Sequence, residues 1–91
     1  MGPVHARIVA TLTEQFHPAK LDVVDESHLH AGHAGARPEG ETHFRVIIEA
    51  EDFRGVSRVA RHRLINEALA AELAGPVHAL AIRAEAPTEA A

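Results

Sequence analysis

A mixed α/β (α+β) domain ordered helix, strand, strand, helix, strand is what this sequence predicts, and three observations predict it. Val4, Ile8, Leu12 and Phe16 recur every four residues; Phe44, Val46 and Ile48 alternate with polar positions; and Gly75-Pro76 separates a helical apolar pattern from a last apolar run. The expected architecture is a three-stranded mixed sheet covered on one face by two helices.

The first helix is expected over residues 4–16, because Pro3 suits a first helical turn and Pro18 stops the pattern. Residues 20–25 follow as a short β-branched strand with Leu21 and Val23 on one face. From 26 to 41 the periodicity vanishes and Gly32, Gly35, Pro38 and Gly40 accumulate. That marks a connection longer than a tight hairpin turn, and such connections usually carry function or disorder. Residues 42–50 form the second strand, with His43, Arg45 and Glu49 opposite its apolar side.

A turn at 52–55 leads to Ser57, an N-cap for a second helix whose apolar side holds Leu64, Ile65, Ala68, Leu69 and Leu73. After Gly75 and Pro76, residues 77–84 make the last strand. The long-linked first two strands pair antiparallel, and the helical crossover makes the third parallel to the second. Residues 1–84 are thus expected as one domain and 85–91 as a flexible tail.

Composition narrows the chemistry. Ninety-one residues with 46% apolar content support one compact core. The chain has no cysteine, which removes disulfides, thiolate ligands and cysteine nucleophiles together, so any metal must be held by nitrogen or oxygen. No apolar run approaches the roughly 20 residues of a membrane span, and no signal-peptide pattern opens the chain, so a cytoplasmic protein is expected. A net charge of −4 argues against indiscriminate capture of nucleic acid. Eight histidines against no Trp and no Tyr is the imbalance that asks for a function.

Three of those histidines, His28, His30 and His33, fall in the long connection, where small neighbours would let the backbone wrap an ion. The spacing matches neither a metalloprotease helix nor a zinc finger, and a solvated polar loop explains it equally well. His78 opens the last strand in phase with Leu80 and Ile82, as a partly buried structural histidine or as a ligand held at a sheet edge. Arg58, Arg61, His62 and Arg63 crowd the start of the second helix, where the macrodipole favours acidic side chains. They are candidates for binding a carboxylate, an acidic partner or a nucleic-acid phosphate, against a solvated charged face. Reversing Arg61 and Arg63 is expected to weaken such binding with little effect on stability. No nucleophile elbow or phosphate loop is present, so no catalytic residue is expected.

Five blocks in order and spacing, Val-Val-Asp-Glu-Ser (23–27), Glu-Thr-His-Phe-Arg-Val (41–46), Phe-Arg-Gly (53–55), Arg-His-Arg-Leu-Ile (61–65) and Val-His-Ala-Leu (77–80), resemble the BolA family. The resemblance implies a class II KH-like fold. It also implies a non-enzymatic partner of monothiol glutaredoxins in iron–sulfur trafficking and iron homeostasis, monomeric or weakly dimeric when alone. In such complexes a 2Fe-2S cluster is bridged between a glutaredoxin cysteine with glutathione on one side and BolA residues on the other.

Carried over by position, the BolA-side ligands are His78 and His30, with His28 and His33 as alternatives. His43 and His62 are assigned to the fold or the interface. The family also contains transcription regulators of stress response and cell morphology, so DNA binding through the KH-like, helix-turn-helix surface is the alternative reading.

Overall fold

The computed structural model describes residues 2–27 and 40–87. The elements are α1 (Pro3–Phe16), β1 (Lys20–Asp25), β2 (His43–Glu49), a 3-10 turn (Glu51–Phe53), α2 (Arg58–Ala68), α3 (Ala70–Ala74) and β3 (Ala79–Glu85). The strands lie in the order β1-β2-β3, antiparallel between the first pair and parallel between the second. Among the described residues no helix is long and apolar enough to cross a membrane.

The apolar stripe of α1 is buried as its spacing requires, Val4, Ile8, Leu12 and Phe16 all lying in the core. They meet Val23 of β1, Phe44, Val46 and Ile48 of β2, and Ile65, Leu69 and Val77 from the crossover. Phe16 packs on Phe53 with ring centroids 5.1 Å apart. Among the described residues the other face of the sheet carries no helix. Its side chains form rows Glu26-His43-Ala79, Val24-Arg45-Ala81, Asp22-Ile47-Arg83 and Lys20-Glu49-Glu85, read from the strand register.

The second helix departs from expectation. It is two helices, joined at Leu69, whose φ of −102° and ψ of 21° take it out of the helical region. The 1→5 hydrogen bonds nonetheless run through the joint, from Leu69 N to Ile65 O and from Leu73 N to Leu69 O, each 3.0 Å. The joint is therefore a bend that keeps Leu69 in the core and brings Glu72 within 3.3 Å of Arg7 on α1. The N-cap is as expected, with Ser57 Oγ accepting from Ala60 N at 3.1 Å. β3 runs one residue further than expected, to Glu85, and residues 88–91 of the expected tail lie outside the described residues.

Helix α1 lacks a local cap: Gly2 stands at its N-cap and its first turn holds no acidic residue. Glu41 supplies the missing charge from the far side of the long connection, its Oε2 accepting from His5 N at 3.0 Å. The carboxylate fills the space where a side chain at Gly2 would stand. We expect Glu41→Gln to lower stability by about 0.5–1 kcal/mol, through loss of the charge at the helix N-terminus. Glu41→Ala should cost about 1–2 kcal/mol, the range of a lost cap. Urea unfolding of the two variants beside the parent chain checks the order.

In the turn after β2, Arg54 binds Glu51 through two hydrogen bonds, 2.7 and 3.0 Å. That bond holds the exposed Glu51 carboxyl below its ordinary range. Its contribution to stability is present above that range and is lost as the pH falls through the lowered value.

Candidate functional site

Ser27 closes the base of the long connection. Its buried hydroxyl donates to Asp25 Oδ1 (2.5 Å) and accepts from the backbone N–H of Thr42 (2.9 Å) and of His43 (3.2 Å). Asp25 Oδ1 also accepts from Ser27 N, and its Oδ2 from Glu41 N. The end of β1 and the start of β2 are thereby fixed to each other. The left-handed conformations of Gly40 (φ 78°) and Glu41 (φ 61°) turn the returning chain into this frame.

The frame carries the imidazoles. Thr42 O accepts from His78 N at 2.7 Å and from Ala79 N at 3.2 Å, which sets His78 immediately ahead of β3. There the side chain is exposed, so the partly buried structural histidine is not what the chain makes at this position. The His43 ring lies beside it, centroids 6.4 Å apart and planes 19° from parallel. The sequence assigns His43 to the fold or the interface, and the register of β2 on β3 adds that it stands next to His78.

The hydrogen-bonding surroundings of the two rings differ. Ser27 donates its one hydrogen to Asp25, and the Thr42 hydroxyl lies within hydrogen-bond distance of both Ser27 Oγ (3.3 Å), to which it donates, and His43 Nδ1 (2.8 Å). The His43 ring is thereby tied to the frame through Nδ1. Among the described residues no group of three or more His, Cys, Asp or Glu is placed to hold a metal ion. His78 presents an exposed imidazole at the start of β3. His28, His30 and His33 lie outside the described residues.

The basic residues of α2 divide. Arg58, Arg61 and His62 line an open groove at the other end of β3, together with Arg45, Ile82, Arg83, Ala84 and Glu85. Arg63 instead joins Val59, His62, Asn66, Glu67 and Ala70 on the outer face of α2. Ala84 is six residues beyond His78, about 20 Å along an extended strand, while Arg45, two residues from His43 on the same face of β2, lies between the groove and the imidazoles. Arg45 and Arg83 were missed in the sequence. Their alternation puts them on the polar side of their strands, but only the register joins them to α2.

Arg61 requires a further correction. Its Nε donates to Val56 O (2.8 Å) and its Nη1 to Ala84 O (2.9 Å), bridging the approach to α2 and the end of β3. The positive charge early in the helix therefore has a structural reason, and indifference of stability to charge reversal is expected of the exposed Arg63 alone. Arg61→Met, which keeps much of the stem, should cost about 1–3 kcal/mol by stranding two carbonyls. Arg63→Met should change stability by less than about 0.5 kcal/mol. Thermal and urea melts of both variants decide the comparison.

Fold and surfaces together define a small α+β domain of the BolA type. The chain belongs to the BolA-like protein family, whose model matches residues 12–89. It is 50% identical over 88 residues to BolA-like protein 1 of Mus musculus, covering 97% of this chain and 61% of that protein. The chain thus spans less than two thirds of that relative. It is 46% identical over 71 residues to the DNA-binding transcriptional regulator BolA of Vibrio cholerae, covering 78% of this chain and 63% of that one. The BolA domain of SufE1 from Arabidopsis thaliana superposes with a TM-score of 0.87 at 42% identity, covering 96% of this chain and 95% of that domain.

Proposed function

We propose that this chain is a non-enzymatic, cytoplasmic BolA-type adaptor. It binds a monothiol glutaredoxin and supplies imidazole ligands to a bridging 2Fe-2S cluster, in iron–sulfur trafficking or iron homeostasis. The observation that carries the reading is His78, an exposed imidazole whose main chain is pinned to the Thr42 frame, with no complete metal-ligand set among the described residues. An adaptor that shares its cargo needs this arrangement, since a closed set of ligands would retain the metal without a partner. The cysteine and the glutathione thiol come from the partner's side, and the histidine of the connecting segment that completes this side is His30, with His28 and His33 as the alternatives.

The second reading, DNA binding, is favoured by the arginine-lined groove and by the name of the Vibrio relative. Coexpression with a monothiol glutaredoxin separates the two. The first reading expects a coloured heterocomplex with visible charge-transfer bands and weak DNA binding by the chain alone. A colourless mixture, together with specific DNA binding that weakens steeply with salt, would establish the second.

A further inference from the structure

Both outer strands of the sheet end in a carbonyl held by a side chain from a helix. Along an antiparallel pair, residues face the partner strand in alternation. Glu26 N donates to His43 O, so Val24, Asp22 and Lys20 face β2, while Val23 turns its backbone outward. His5 Nε2 occupies that outward carbonyl at 2.8 Å. On β3 the main chains of Ala79 and Glu85 bond to β2, so Leu80, Ile82 and Ala84 face outward. Arg61 occupies the Ala84 carbonyl. Among the described residues nothing pairs with the outward N–H and C=O of Leu80 and Ile82.

This open stretch runs into the groove lined by Arg45 and Arg83 toward the bare sheet face and by Arg58, Arg61 and His62 toward α2. Arg58 is exposed and has no hydrogen-bonded or ionic partner among the described residues. Among the described residues Arg45 and Arg83 are engaged only by Glu26 and Glu85, in exposed pairs of 2.9 and 3.0 Å that a competing carboxylate can replace at little cost. Ala79 and Ala81 keep the outer flank low. Nothing in the stretch blocks strand addition: it holds no proline and no charged side chain until Arg83.

We propose that the free edge of β3 at Leu80 and Ile82 docks an extended acidic segment of a partner protein by strand addition, its carboxylates received by Arg58, Arg83 and Arg45. A peptide backbone offers both a donor and an acceptor at the spacing of outward groups two residues apart, whereas a phosphate backbone offers acceptors alone. A second copy of this chain is disfavoured because edge-to-edge pairing would bring two arginine-lined grooves together. The inference is independent of any cluster.

The test uses the full chain, nitrogen-15 labelled and without glutaredoxin. It is titrated with a blocked peptide of alternating Glu and Val about eight residues long, the length of one strand. The same peptide with Lys for Glu and a short DNA duplex are the controls. The expected result is protection of the Leu80 and Ile82 amides from hydrogen exchange by about tenfold or more with the acidic peptide alone, corresponding to roughly 1.4 kcal/mol. Arg58→Glu should weaken that binding several-fold in a chain that melts as the parent does. The proposal is overturned if the edge amides stay unprotected, if the Lys peptide binds as well, or if only DNA protects them. Protection that rises with protein concentration alone, alongside a dimeric mass, would make the occupant a second copy and overturn it equally.

Discussion

Ser27→Ala is expected to lower stability by about 2–4 kcal/mol. The magnitude follows from what one oxygen does. Ser27 Oγ is buried, and it satisfies Thr42 N and His43 N while tying Asp25 into the frame. Removing it strands two backbone donors, each costing about 1–3 kcal/mol when water cannot reach it, less whatever solvent enters. Ser27→Thr is the informative companion. It keeps the hydroxyl and adds one methyl, so a loss well below that of Ser27→Ala assigns the effect to the hydrogen bonds. Equal losses in urea unfolding would assign it to packing. The same substitution should disturb His78, because the Thr42 carbonyl that positions His78 belongs to the strand end that Ser27 holds.

The regular elements were legible because each is written in its own periodicity. The four-residue spacing of Val4, Ile8, Leu12 and Phe16 and the alternation of Phe44, Val46 and Ile48 both report one buried face, and those residues are buried. The bend at Leu69 was not legible. The four-residue apolar spacing continues through it as Ile65, Leu69 and Leu73, so nothing in the pattern marks the residue that leaves the helical region. The support of the site was hidden for a different reason. Glu41 caps a helix 36 residues upstream of it, Ser27 binds residues 15 and 16 positions away, and Arg61 reaches Ala84. Short polar side chains in a sequence do not announce such partners. The neighbourhood of His43 and His78 depends on the β2/β3 register, which a crossover of this length leaves open.

His78→Ala is expected to abolish the visible spectrum of the cluster complex with a monothiol glutaredoxin, whereas His43→Ala should leave it recognisable. Proximity alone would not separate the two rings, which lie 6.4 Å apart. Chemistry does. The His43 ring is already bonded through Nδ1 to the Thr42 hydroxyl, so ligation through that nitrogen would cost a part-buried hydrogen bond and would pull on the strand end. His78 is exposed, and no side-chain bond to its ring is seen among the described residues. His78→Cys should restore a cluster while lowering its reduction potential, because a thiolate places more negative charge on iron than a neutral imidazole does. With the native imidazole, acidification should release the cluster, since protons compete with iron for the ring nitrogen. The measurements are visible circular dichroism and electron paramagnetic resonance of the reduced complex, run also on His28→Ala, His30→Ala and His33→Ala. Of these three, His30→Ala should alter both signals; an effect confined to His28→Ala or His33→Ala reassigns the second ligand alone. Unchanged spectra in a folded His78→Ala complex would remove the chain's histidine from the cluster and with it the proposed function.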